Sequence, residues 1–192
     1  MADTALRLAT LDEFLAFDGE GDARHQLVRG VITAMAPARE GHGEMVIALG
    51  SEIRRQLKPP CRVLSEAGVK PAHRDDTYWQ ADLVVTCAPR DRGRVYQTDP
   101  RLVVEVLSAS TEATDRLLKL DDYRLIESVH DILLVATERV RIEHWQRREG
   151  FWAVRDLGPG DVLEVAELGL EVALDPLYAD LPEAEGEGGE AA

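Results

Sequence analysis

The sequence predicts a mixed α/β fold, an α+β arrangement in which one mixed sheet carries helices on its faces and is extended by β hairpins at both ends. Three observations carry that reading. Between residues 40 and 136, segments of helical and strand character follow one another in the order α-β-β-β-α-β. The last strand of that series is reached through a helical crossover, so it should run parallel to the strand before it, with a right-handed connection. Outside the series, alternating segments interrupted by glycine read as hairpins.

The elements follow from local chemistry. "TLDEFLAF" places Thr10 as a helix N-cap with Glu13 three residues later, a capping box for a short helix. "HQLVRGVITAM" alternates around Gly30 as a hairpin or bulged strand. In "GHGEMVIALGSEIRRQLKPP", Met45, Leu49, Ile53 and Leu57 recur every fourth residue, which predicts a helix from about Gly43 to Leu57, ended by the prolines. "CRVLSEAGVKP", "WQADLVVTCAP" and "PRLVVEVLSAS" are rich in β-branched residues and bounded by proline or polar clusters, so each reads as a strand. "TEATDRLLKLDDYRLIES" reads as a helix with Ser110 or Thr111 as its N-cap. "HDILLVA" is a buried strand, "VRIEHWQRREGFWAVRDL" a hairpin turning at Glu149-Gly150, and "DVLEVAELGLEVAL" two short strands around Gly169. With no internal repeat and no linker, residues 1–182 read as one domain. The ending "EAEGEGGEAA", residues 183–192, reads as an acidic, unstructured tail.

Composition limits the function. The net charge is −14, and removing the four tail glutamates still leaves −10. That balance argues against non-specific coating of nucleic acid, and any DNA contact must use a focused basic patch. No apolar run approaches the roughly 18 residues a membrane helix needs. The N-terminal segment lacks the basic-then-apolar pattern of a secretory signal. Cys61 and Cys87 form no CxxC pair and are expected to be free thiols of a cytoplasmic protein, though a disulfide between them stays open. Nineteen arginines but only three lysines (Lys58, Lys70 and Lys119) leave few candidates wherever chemistry requires an ammonium. The five histidines are scattered, and the sequence contains no HExxH, GxSxG, P-loop or GxGxxG motif.

The informative anomaly is acid inside apolar strands: Asp82 in "ADLVV" and Glu105 in "LVVEVL". On neighbouring strands and one face, two such side chains stand about 5 Å apart and repel unless a cation lies between them. Mg²⁺ takes oxygen ligands from one or two carboxylates and makes a bound water acidic enough to attack a phosphodiester. The plainer alternatives are a turn residue at the start of a strand for Asp82, and a buried arginine partner or a solvent-facing position for Glu105. Asp115, Lys119 and Asp122 fall at i, i+4 and i+7 on one helical stripe, with Tyr123 beside it. By itself such a stripe is a solvated salt-bridge face. Beginning just after the Glu105 strand, however, it can bring an ammonium to that strand's C-terminal end.

At "LVVEVLSAST", followed by Asp, Lys and Tyr, the chain resembles a widespread bacterial family of putative restriction endonucleases in the PD-(D/E)XK nuclease superfamily. "GVITAMAP…GH", "PCRVLSEAGVK", "ADLVVTCAPRD" and the C-terminal segment are similar to family segments in the same order, over roughly residues 10–180. The resemblance implies a restriction-endonuclease-like αβββαβ core. It implies Asp82 and Glu105 as ligands of Mg²⁺ or Mn²⁺, the Val106 backbone carbonyl as a further ligand, and Glu66 as an additional one unless it is simply an exposed strand acid. The last Lys of the motif would stand at apolar Leu107, and Lys119 looks like its migrated replacement. His42, Ser108, Asp115 and Tyr123 are implied as phosphate contacts or supports, His42 being otherwise an ordinary histidine at a helix N-terminus. Departures are Ala81 and Ala109 for prolines, Val31 for an acid, and Gln26 for a glutamate that would support metal binding. The expectation is thus a Mg²⁺-dependent DNA endonuclease, the alternative being an inactive nuclease fold serving as a binding or assembly module. The apolar C-terminal strands with Trp145 and Trp152 lead us to expect a homodimer.

Overall fold

A computed structural model describes residues 8–19, 24–108 and 112–179. The proposed N-cap at Ser110 or Thr111, the departure at Ala109 and the acidic tail lie outside those residues. Helix α1 (Leu11–Leu15) opens on the Thr10–Glu13 capping box. Strands β1 (His25–Val28) and β2 (Val31–Ala34) form an antiparallel hairpin. Its two turn residues, Arg29 and Gly30, both have positive φ, 51° and 82°, the primed turn that matches the twist of paired strands. A side chain at residue 30 would also strike Leu8 Cβ at 2.6 Å, so glycine is required there twice over. The hairpin docks on the main sheet where Leu27, fully buried, exchanges backbone hydrogen bonds with Tyr78.

The long helix α2 (Glu40–Gln56) starts three residues before the expected Gly43. Six strands form the main sheet in the order β3-β4-β5-β6-β7-β8: β3 (Arg62–Val69), β4 (Trp79–Thr86), β5 (Pro100–Val106), β6 (Asp131–Val135), β7 (Ile142–Arg148) and β8 (Phe151–Leu157). All neighbours are antiparallel except β5 and β6, which run parallel as the helical crossover requires. That crossover is a single bent rod: α3 (Glu112–Thr114), a π-turn over Asp115–Lys119, and α4 (Leu120–Arg124). A second hairpin, β9 (Val162–Val165) with β10 (Leu170–Ala173), and α5 (Leu174–Tyr178) complete the chain.

The sheet separates two apolar layers. On one face Met45, Leu49 and Ile53 of α2 pack against Leu83, Val85, Leu102, Val104 and Leu133, with the β9–β10 hairpin closing the far end. On the other, Tyr123, Leu120 and Ile126 cover Trp79, Val84, Val103, Ile132 and Leu134. The central strands are thus buried on both faces, and for that reason they read as near-continuous apolar runs. Trp145 and Trp152, on which the expected homodimer rested, lie partly buried beneath the guanidinium groups of Arg124 and Arg147.

One expectation is corrected. Cys61 and Cys87 are not free thiols but a disulfide, joining the residue before β3 to the residue after β4. The register that sets Arg62 opposite Thr86 brings the two cysteines together. Free thiols therefore no longer argue for a cytoplasmic protein. Among the described residues no helix is long and apolar enough to cross a membrane.

Candidate metal and active site

Strand register builds the site. The β4–β5 pairs run from Val85↔Leu102 through Val84↔Val103 to Leu83↔Val104 and end there, leaving Asp82 and Glu105 just past the ladder, where both come to line one cleft. The β3–β4 pairs Ser65↔Leu83 and Ala67↔Ala81 bracket Glu66, which stands across from Asp82. Glu66 has a left-handed φ of 49°, a strained conformation for a non-glycine residue. The three acids thus line one cleft.

Where the β4–β5 ladder stops, the Asp82 side chain takes over: the Val106 N–H donates to its Oδ2 at 2.7 Å. Its other oxygen, Oδ1, lies 3.1 Å from His42 Nε2. Glu105, 1% exposed, accepts from the Tyr123 hydroxyl at 2.6 Å and from Lys119 Nζ at 2.9 Å. Lys119 also lies 3.0 Å from Asp115 Oδ1 and donates to the Gln80 carbonyl at 3.3 Å. The π-turn packs Asp115 and Lys119 side by side under the strands, a use of such turns often found at functional sites. Glu66, more than half exposed, pairs with Arg24.

The electrostatics follow from burial. Burial pushes the Glu105 carboxyl up from its ordinary 4.5 to about 8; Lys119 opposes this, while Asp115 and Asp82 reinforce it. For Lys119, burial works against the charge, but the carboxylates of Glu105 and Asp115 outweigh it and the ammonium is held above its usual range. These directions are consistent: one ammonium faces two buried carboxylates, so Lys119 keeps its proton and Glu105 is the acid left short of positive charge. The Tyr123 phenol is raised well above its normal value by burial and by Glu105. His42 is raised through its hydrogen bond to Asp82, which outweighs its own partial burial.

These groups line a cleft of about 160 Å³ that holds Asp82, Glu105, Lys119, Asp115, Val106 and Ser108, with His42, Glu66 and Arg24 also on its wall. A larger cavity, about 330 Å³, opens beside it at the ends of β5 and β6 and shares Ser108. Its Arg116, Glu143 and Arg141 are bonded to one another, so the chemistry belongs to the smaller cleft, where acids outnumber cations. The donor set there is carboxylate and carbonyl oxygen, suited to a hard divalent ion such as Mg²⁺ or Mn²⁺. Among the described residues, however, no group of three or more His, Cys, Asp or Glu side chains is arranged to hold a metal ion as it stands. The cause is visible in the pairings: Asp82 is turned onto His42, Glu105 onto Lys119, and Glu66 onto Arg24.

Of the site residues expected from the sequence, Asp82, Glu105, Lys119, Val106, Glu66, His42, Ser108 and Asp115 line this cleft, and Tyr123 bonds Glu105 within it. Asp122 stands apart. It leaves the expected stripe with Asp115 and Lys119, accepting instead from Trp79 Nε1 at 2.7 Å and from both Arg29 guanidinium nitrogens. Leu107, at the place of the motif Lys, is buried in the apolar layer. Arg24 was not anticipated; it stands immediately before β1 and reaches the cleft through its pairing with Glu66. The Gln26 Oε1 atom is buried with no hydrogen-bond partner among the described residues.

Comparison with known proteins bears on the family and the fold. A family model, Uma2, described as "Putative restriction endonuclease", matches residues 11–176. The chain is 31% identical over 173 residues to the uncharacterized protein slr1290 of Synechocystis sp., covering 88% of this chain and 91% of that one. It is 22% identical over 151 residues to the uncharacterized protein sll1609 of Synechocystis sp., covering 77% and 85%. Its fold is similar to that of a crystal structure described as a putative nuclease belonging to DUF820 from Anabaena variabilis. The TM-score is 0.70 at 20% identity, with 90% of this chain and 99% of that one covered.

Proposed function

The chain belongs to the Uma2 family, described as putative restriction endonucleases, and from that premise we propose that it is a divalent-metal-dependent endonuclease hydrolysing phosphodiester bonds in DNA. The observation that carries the reading is that Asp82 and Glu105 line one cleft, with Lys119 at 2.9 Å from the latter. Mg²⁺ or Mn²⁺ would be held by Asp82, Glu105 and the Val106 carbonyl, with Glu66 on the wall of the same cleft. A bound ion there supplies Lewis-acid stabilisation of phosphoryl charge and a more acidic water. The chain's own residues do the rest. The Lys119 ammonium, fixed by Asp115 and the Gln80 carbonyl, orients a water or faces a phosphate oxygen. Tyr123 holds the Glu105 carboxylate in place. Arg39 on the cleft wall adds a cation that a phosphate of the polyanion can meet.

A second reading, a nuclease fold that binds without cutting, is favoured by Gln26 at the position of a supporting acid and by the internal pairing of Asp82, Glu105 and Glu66. Plasmid nicking separates the two. The unmodified chain with Mg²⁺ or Mn²⁺ is expected to convert supercoiled DNA to nicked circles, and Asp82→Ala to abolish it. DNA retention without nicking in either metal would support the second reading.

A further inference from the structure

We propose that His42 is an internal occupant of the cation position, holding one of the ion's ligands in the ion-free chain and released when a divalent ion binds. The inference rests on the reading of the cleft as a metal site and concerns what stands there first. Asp82 has two oxygens. Oδ2 is committed to the Val106 N–H at 2.7 Å, so Oδ1 is the one left for an ion, and His42 Nε2 lies on it at 3.1 Å. One imidazole therefore covers the Asp82 oxygen that is left to coordinate. An ion taking that oxygen at about 2.1 Å competes with the ring nitrogen for it.

The segment carrying His42 is built to let go. It lies in the first turn of α2, whose N-cap, Arg39, makes no side-chain capping bond. His42 is flanked by Gly41 and Gly43, and a Cβ at either would meet nothing within 4 Å. No neighbour demands glycine there. What the two glycines do is weaken the helix turn relative to alanine, while the remainder of α2 stays anchored through Met45, Leu49 and Ile53.

The test is calorimetric titration of Mn²⁺ into the full chain, with no nucleic acid and no activity readout. His42→Ala and His42→Gln are each expected to bind Mn²⁺ about tenfold more tightly than the unmodified chain, because a hydrogen bond to a carboxylate no longer has to be broken. Gly41→Ala/Gly43→Ala, which stiffens the turn, is expected to raise the ion-free melting midpoint and weaken Mn²⁺ binding several-fold. Equal or weaker binding by both His42 variants, folded by their melting curves, would overturn the proposal while leaving the metal site intact. Absence of binding in every form, His42→Ala included, would overturn the metal reading itself and this inference with it.

Discussion

Lys119 Nζ lies 2.9 Å from Glu105 Oε2, and both side chains are almost wholly buried although they come from a strand and from the helix that follows it. A carboxylate in the middle of an apolar strand is tolerated because the next element returns an ammonium to it. Removing one partner of such a pair strands the other. Above the Glu105 value of about 8, at pH 9, Lys119→Met leaves Glu105 and Asp115 buried without their shared cation, so it is expected to cost about 3–5 kcal/mol of stability in urea unfolding. The double variant Lys119→Met/Glu105→Leu, which removes both charges, is expected to recover much of that loss. A single substitution as mild as a surface change would contradict the pairing.

The raised Glu105 carboxyl makes stability depend on pH with a defined sign. Between 4.5 and about 8 the folded state holds a proton that the unfolded chain has released. The stabilisation from this group is therefore complete below about 4.5 and disappears as the pH rises through about 8. The melting midpoint of the metal-free protein is expected to fall from pH 5 to pH 8.5. His42, also raised, acts in the same direction. Glu105→Gln is expected to flatten the profile, with His42→Ala as the control for the second contribution. A melting midpoint indifferent to pH in the unmodified protein would be inconsistent with a carboxyl so displaced.

Asp122 ties three elements together: it accepts from Trp79 on β4 and from Arg29 in the β1–β2 turn, while lying on α4 itself. Asp122 is 2% exposed, so its loss leaves a guanidinium and an indole N–H without their acceptor. Asp122→Ala is expected to destabilise by about 3 kcal/mol in urea unfolding. Arg29→Ala should do much the same, and the double variant should cost less than the sum of the two. Strict additivity would deny the coupling.

The sequence made the strands and the two acids legible because burial on both sheet faces leaves a run of Val, Leu and Ile in which a carboxylate stands out. Less legible was everything that depends on long-range register. Cys61 meets Cys87, Glu66 meets Arg24 and Asp82 meets His42 only after β3, β4, the hairpin and α2 have packed, and no local spacing announces such contacts. The early start of α2 was hidden because Arg39 is no capping residue and Gly41 is a poor helix former. The Asp115–Lys119–Asp122 stripe was read with a 3.6-residue period. A π-turn widens the helix there, keeping the first two together and delivering the third to Arg29.

The most direct measurement is anomalous scattering from crystals soaked in Mn²⁺. The account predicts one peak about 2.1 Å from oxygens of both Asp82 and Glu105 and from the Val106 carbonyl, with the His42 ring turned away from Asp82. A fully soaked crystal with no peak between the two carboxylates, His42 still on Asp82 and Lys119 still on Glu105, would contradict it.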